Sequence, residues 1–184
     1  FEKQVLELSA QLPNIPLEDV AIGRSDQDNI IQREEGDIKE FSFLPKSHDE
    51  LCENLGLLNF DQAATMTGSR FVVYHKKGAQ LERALINFML DNHINNHGYS
   101  EVQVPVIINS KSLFGTGQLP KFSDDLYRLE ETDYWLSPTA EVQLTNLFNN
   151  KVIAEKDLPI SVVAYTPCFR REAGSYGKDV KGII

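Results

Sequence analysis

The residues best suited to chemistry lie in the last twenty positions of the sequence, 165–184. Arg170 precedes an acid at Glu172, and the following stretch combines several glycines with Lys178 and Lys181. Arginine presents a permanently charged planar fork that binds a phosphate through two parallel hydrogen bonds, and glycine lets a backbone approach a bulky ligand. The pattern predicts a strand that runs into a cationic loop, and the chemistry predicts a phosphate-bearing substrate. The alternative is structural, because Arg170 and Glu172 share one face of a strand and can pair with each other.

A second group of polar residues lies at 137–141, where the sequence reads Ser-Pro-Thr-Ala-Glu. Leu144 and Leu147 follow at helical spacing, so this run predicts the start of a helix. A hydroxyl of Ser137 or Thr139 and an early acid at Glu141 suit the positive end of a helix. On these residues alone, helix capping is the better interpretation of the run.

The elements that must position these groups follow from the apolar pattern. Residues 78–97 place Leu81, Leu85, Phe88, Met89 and His93 on one side, which predicts a long amphipathic helix. Gly98 is placed to end this helix, and 101–108 then predicts a strand. Pro105 inside that strand indicates a sheet edge or an interface.

Shorter elements are predicted elsewhere in the chain. Helical spacing occurs at 1–12, at 51–58 and at 60–66, where Thr67-Gly68 provides a stop signal. Strands are predicted at 30–33, 69–74 and 133–136 from their β-branched and aromatic residues.

Composition limits the classes of partner. The chain has 184 residues and a formal net charge of −9, which argues against generic binding to polyanions. The sequence contains no apolar run of membrane-spanning length and no signal-peptide pattern, so a cytoplasmic location is expected. The two cysteines, Cys52 and Cys168, are too few for a disulfide framework or a metal site.

Three runs in the order GTGQLPKF (115–122), TAE (139–141) and CFRREAGSYGKDVKG (168–182) are specific enough to suggest a family. They resemble the class II aminoacyl-tRNA synthetases, and the seryl-tRNA synthetases in particular. The resemblance implies an α+β fold, an antiparallel sheet flanked by helices, which is incomplete in this chain. It also implies that 1–12 is the stump of an N-terminal tRNA-binding helical arm. Residues 13–184 would be a partial catalytic domain with motifs 1 and 2 and without motif 3.

The resemblance gives the residues after Cys168 specific roles. Arg170 would hold the α-phosphate of ATP and would be the residue most important for catalysis. Arg171 and Glu172 would also bind ATP, with Glu172 accepting a hydrogen bond from the adenine amino group. Lys178 and Lys181 would contact the acceptor end of the tRNA. Local concentration of these cations would relieve the conflict between an acidic chain and a tRNA substrate.

The resemblance also changes the interpretation of 137–141, because Thr139, Ala140 and Glu141 would then line the serine pocket. A hydroxyl and a carboxylate suit a small substrate with an ammonium and a hydroxyl, since a site that pairs polar groups rejects analogues that leave them unpaired. Gln143 occupies a position where the family usually has proline. We expect this difference to affect local stiffness rather than chemistry.

The implied function is that of a serine-tRNA ligase that uses L-serine, ATP with Mg²⁺, and tRNA(Ser). The implied assembly is a homodimer formed through the helix and strand at 78–108. Because motif 3 would lie beyond this chain, we expect the 184 residues alone to be inactive. Two alternatives remain. One is a synthetase-like paralogue that binds amino acid, tRNA or protein without charging tRNA, and the other is a class II synthetase for threonine or proline.

Overall fold

The computed structural model describes residues 1–68 and 71–171. Contacts divide the chain into two compact units, Phe1–Lys46 and Ser47–Ile184. None of the helices in the described part of the chain has both the length and the apolar character needed to span a bilayer.

The first unit contains little regular structure. Helix α1 spans Glu2–Ser9, which confirms the predicted helix at 1–12 with an earlier end. A short 3₁₀-helix covers Asp26–Asp28 in the polar turn. The predicted strand at 30–33 is wrong, because these residues are exposed and have no strand pairing. Apolar β-branched residues without a neighbouring strand do not form a sheet.

The polar turn of this unit is organised by its own side chains. The Ser25 hydroxyl accepts a hydrogen bond from Gln27 N–H at 3.2 Å. The Asp28 carboxylate accepts from Arg24 N–H at 2.6 Å and from Ser25 N–H at 3.2 Å. These backbone donors stabilise the ionised form, and they lower the pKa of Asp28 below its ordinary value.

The second unit begins with two short helices and a small ribbon. Helix α2 spans His48–Asn54, strand β1 Leu58–Asn59, helix α3 Phe60–Thr67 and strand β2 Val73–Tyr74. Strands β1 and β2 pair antiparallel. Asn59 caps α3, because its side-chain oxygen accepts from Gln62 N–H at 2.7 Å. The predicted helix at 60–66 and its end at Gly68 are confirmed.

The long helix is the most regular element. Helix α4 spans Lys77–His97 and ends at Gly98, whose left-handed φ of 70° explains the glycine. A different glycine fixes the start of the helix: a Cβ on Gly78 would lie 2.4 Å from the Leu57 carbonyl oxygen. Only glycine therefore allows α4 to begin against the chain that leads into β1.

The prediction of one continuous strand at 101–108 is wrong. Strand β3 covers only Ser100–Glu101, and strand β4 covers Ile107–Asn109. Pro105 lies in the gap between them, where its missing N–H cannot serve a sheet ladder. Strand β3 pairs parallel with β6, Val162–Val163, so this part of the fold departs from the antiparallel arrangement expected.

The core lies between β4, β5 and two helices. Strand β5, Tyr134–Leu136, pairs antiparallel with β4 and confirms the strand predicted at 133–136. Helix α5 spans Ser110–Gly115, and helix α6 spans Ala140–Asn146. The Asn146 amide donates to the Ser112 carbonyl at 3.0 Å and ties α6 to α5. The buried apolar cluster consists of Ile108, Leu113, Leu126, Trp135 and Val142.

Candidate active site

The candidate site is built around Ser137, which is fully buried at the end of β5. Its N–H donates to the Val106 carbonyl at 2.8 Å, and its carbonyl accepts from Phe169 N–H at 2.8 Å. The residue thus joins segments that are far apart in sequence. One leads into β4, and the other is the run that carries Arg170.

Arg170 lies against the turn that follows Ser137. Its Nε donates to the Pro138 carbonyl at 3.1 Å, and the residue is exposed. A guanidinium carries further donors on its two terminal nitrogens, the pair that forms a fork on a phosphate. The bond to Pro138 restrains the group at Nε, next to the turn that follows Ser137.

Arg171 is held by its backbone. Its N–H donates to the Asp125 carbonyl at 2.8 Å, at the end of a 3₁₀-helix that spans Ser123–Asp125. This helix follows the GTGQLPKF run, where Gln118 N–H donates to the Leu113 carbonyl at 3.0 Å. The run is therefore anchored on α5, and the segment after it meets the arginine segment.

The capping interpretation of 137–141 is wrong for the hydroxyls. Thr139 occupies the N-cap position of α6 but, within the described residues, its hydroxyl makes no capping hydrogen bond. The Ser137 hydroxyl instead lies 3.0 Å from the Thr139 carbonyl and 3.0 Å from the Gln143 side-chain oxygen. Thr139 and Ala140 are half-buried, and Glu141 is exposed in the first turn of α6, where an acid suits the positive end of the helix.

Gln143 is a buried polar residue at the site whose contacts the sequence did not reveal. Its Nε2 donates to the Pro105 carbonyl at 2.8 Å, across 38 positions of sequence. The available signal was a polar side chain between the apolar residues Val142 and Leu144, since buried polar groups generally have partners.

The structure therefore brings together two of the predicted groups. Arg170 lies against Pro138, immediately before Thr139, Ala140 and Glu141. Glu172, Lys178 and Lys181 lie outside the described residues. The alternative pairing of Arg170 with Glu172 involves one of these residues and lies outside the described part as well.

Comparison with known proteins shows which families this chain is similar to. The tRNA synthetase class II core domain (G, H, P, S and T) matches residues 122–184. The serine-tRNA ligase of Acidobacterium capsulatum is 54% identical over the whole chain, which covers 44% of that protein. The serine-tRNA ligase of a Sulfurihydrogenibium species is 56% identical, again over the whole chain and 44% of the relative. The chain thus spans less than half the length of these curated relatives.

Solved structures show the same fold. Seryl-tRNA synthetase from Pyrococcus horikoshii, solved as a complex with ATP, has a TM-score of 0.89 and 33% identity over 98% of this chain and 45% of its own. The cytoplasmic serine-tRNA ligase of Naegleria fowleri, solved with AMP, has a TM-score of 0.84 and 26% identity over 99% of this chain and 43% of its own. By sequence and by fold, this chain is a relative of the seryl-tRNA synthetases and corresponds to a part of their class II aminoacyl-tRNA synthetase architecture.

Proposed function

We propose that the protein carrying this chain activates L-serine with ATP and transfers it to tRNA(Ser). In the first step a serine carboxylate oxygen forms a bond to the α-phosphorus of ATP, and the bond from that phosphorus to pyrophosphate breaks. In the second step a hydroxyl of the terminal tRNA adenosine attacks the carbonyl carbon, and AMP leaves. No protein nucleophile is required, so catalysis rests on positioning and on charge stabilisation.

The position of Arg170 carries the proposal. Its guanidinium is fixed at Nε by the Pro138 carbonyl, and that carbonyl immediately precedes Thr139. A phosphate bound by its terminal nitrogens would therefore lie beside the proposed serine pocket. This is the geometry that a carboxylate attack on the α-phosphorus requires. The two solved relatives were crystallised with ATP and with AMP, which supports nucleotide binding by the protein carrying this chain.

The proposed serine pocket consists of Thr139, Ala140 and Glu141. The Thr139 hydroxyl makes no capping bond within the described residues, and Glu141 is exposed at the start of α6. Both groups suit a substrate with an ammonium and a hydroxyl. Ala140 is small and half-buried, which suits a short side chain.

The remaining partners are part of the same proposal. Arg171 and Glu172 would complete the ATP contacts, and Lys178 and Lys181 would meet the tRNA acceptor end. The described residues contain no group of three His, Cys, Asp or Glu side chains placed to hold a metal ion. Mg²⁺ would arrive with the ATP phosphates, which suits an ion that retains waters and few carboxylates. A cytoplasmic location belongs to the same proposal, in which residues 1–12 would be the stump that ends the N-terminal tRNA-binding arm.

Serine-dependent exchange of pyrophosphate into ATP tests the function. We expect the protein carrying this chain to support exchange with serine and to reject threonine, alanine and proline. The 184-residue chain alone should give no exchange, because the chain spans only 44% of its relatives. Exchange with none of the four amino acids by the longer protein would indicate a non-charging paralogue. A preference for another amino acid would contradict the assigned pocket.

We also infer that the chain pairs with a second copy through α4 and β4. Leu81, Leu85, Phe88 and Met89 lie on one face of α4 and are between 48% and 66% exposed. A row of large apolar side chains on a long helix indicates a surface that another protein covers. A second copy supplies the same face, as a two-fold interface requires.

Charged substitutions on that face test the dimer. Replacing Leu85 and Phe88 together with glutamate would place carboxylates in an apolar contact, and we expect the protein carrying this chain to sediment at half its original mass. Asn87→Glu provides the matched control, since Asn87 is exposed on the opposite side of α4. Unchanged sedimentation of the double variant would place the interface elsewhere.

A further inference from the structure

Gln143 forms a buried link between two segments of the site and is not one of the residues assigned to bind substrate. The side chain is 7% exposed and makes hydrogen bonds at both ends of its amide. Because the Pro105 carbonyl can only accept, Nε2 must face it, and Oε1 must therefore face the Ser137 hydroxyl. The orientation of the amide is thus determined by its partners.

This link ends on the residues that hold the site together. The Ser137 hydroxyl donates to Gln143 Oε1, its N–H donates to the Val106 carbonyl, and its carbonyl accepts from Phe169 N–H. The next carbonyl along the chain, that of Pro138, accepts from Arg170 Nε. Two hydrogen bonds therefore connect Gln143 to the Arg170 guanidinium. The first joins Gln143 to Ser137, and the second joins Pro138, the next residue, to Arg170.

The other end of the link lies on the segment between β3 and β4. Pro105 lacks an N–H, and its carbonyl lies in the gap where the strand is interrupted. Val106, the next residue, accepts from Ser137 N–H at 2.8 Å. The amide of Gln143 thus bridges Pro105 and Ser137 beside a direct backbone bond, so that the two segments are connected twice.

We propose that Gln143 is a positioning residue for the activation reaction: its amide fixes the turn at Ser137 and Pro138 against the Pro105 segment and so sets the direction of the Arg170 guanidinium. The inference rests on the proposed function only for its kinetic consequence. Its structural part, the dependence of Arg170 on Gln143, stands on the hydrogen bonds alone. It replaces the expectation that Gln143 affects only local stiffness.

Gln143→Met is the sharpest test, because methionine has a similar length and fills the same space without donor or acceptor. The substitution leaves the Pro105 carbonyl without the Gln143 donor, and a buried polar group that loses its partner draws the surrounding backbone toward a new one. We expect serine-dependent kcat/KM to fall about tenfold or more, the range over which small misplacement at an active site acts. Both kcat and the KM for serine should change, since the turn carries the arginine and the pocket.

Val142→Ala is the matched control on the same helix. Val142 is fully buried in the apolar cluster, so its truncation destabilises the unit without removing a hydrogen bond of the link. At a temperature where both variants remain folded, we expect kcat/KM of Val142→Ala to stay near the wild-type value. Equal losses in the two variants would show that Gln143 acts only through stability, and would overturn the proposal.

Gln143→Glu adds a readout that a purely structural role would not change. The ionised carboxylate has no donor for the Pro105 carbonyl, whereas the protonated acid has one. The ratio of kcat/KM in this variant to that of the wild type should therefore rise as the pH falls. A ratio that is constant with pH would contradict a donor role for the Gln143 amide.

An NMR measurement that does not depend on catalysis tests the positioning role of Gln143 separately from the proposed function. The ¹H–¹⁵N resonance of Arg170 Nε, assigned by its loss in Arg170→Lys, reports the hydrogen bond to Pro138 directly. We expect it to shift in Gln143→Met and to stay in place in Val142→Ala. An unshifted resonance in Gln143→Met overturns the inference even if exchange is serine-dependent. A shifted resonance in a protein without serine exchange would retain the positioning link and reject the proposed function.

Discussion

Replacement of Arg170 with alanine is expected to lower serine-dependent pyrophosphate exchange by about 10²-fold or more, as for removal of one well-placed donor to a transition state. The fold should survive, because Arg170 is exposed and, among the described residues, its side chain bonds to a carbonyl of the adjacent turn. The loss should appear mainly in kcat, since charge on the α-phosphoryl oxygens increases as the carboxylate attacks. Exchange kinetics and a thermal unfolding curve of the same preparation measure both expectations.

Two further variants show what the arginine supplies. Arg170→Lys keeps the charge but loses the planar fork, so it should recover only part of the activity. Arg128→Ala removes another exposed arginine from the same unit, one whose guanidinium lies 5.5 Å from the centre of the Trp135 ring. This control should retain exchange within a few-fold. If Arg170→Ala were as active as Arg128→Ala, Arg170 would have no role at the phosphate.

Leu113→Ala is expected to have the largest effect on stability, a loss of about 2–5 kcal/mol. Leu113 is fully buried on α5 and belongs to the apolar cluster between β4, β5 and α6. Its truncation would leave a cavity whose walls are fixed by the paired strands, so little relaxation is possible. Denaturant unfolding of the protein carrying this chain measures the change in the unfolding midpoint.

The adjacent residue provides a control for this prediction. Phe114 follows Leu113 on the same short helix and is 48% exposed. Phe114→Ala removes more atoms but should cost much less, because less of the side chain leaves water on folding. Similar losses for the two variants would contradict the assignment of Leu113 to the centre of the core.

Elements with strong local signals could be predicted from the sequence. Helix α4 follows from the spacing of Leu81, Leu85 and Phe88, and its end follows from Gly98, because both signals act within a few residues. Strand β5 and the helix that ends before Gly68 follow in the same way. The family-specific runs allowed the class II fold to be identified without any tertiary information.

Features that depend on distant residues could not be predicted in this way. The strand expected at 101–108 is interrupted at Pro105, and the partner that pairs with its first part, β6, lies some sixty positions later. Thr139 has the side chain of a helix cap, but the helix starts without using it. Gln143 is stabilised in the core by the Pro105 carbonyl, which helical periodicity cannot identify.

The structure gives the location of the site residues, whereas their ligands come from the resemblance. Arg170 and the run 139–141 were predicted from the resemblance, and the structure brings them into one neighbourhood through Pro138. The binding of ATP by Arg170 and of serine by 139–141 stays a prediction. The contacts described for these residues are all contacts within the chain. The exchange assay and the Arg170 variants address that point.

The double role of the Ser137 backbone has a consequence for folding during synthesis. Its N–H bonds to Val106, which is made earlier, and its carbonyl bonds to Phe169, which is made later. The carbonyl therefore has no native partner until the ribosome has released Phe169, so β4 and β5 can pair before the arginine segment joins them. The nascent chain is thus expected to acquire its apolar core first and its substrate-binding geometry last.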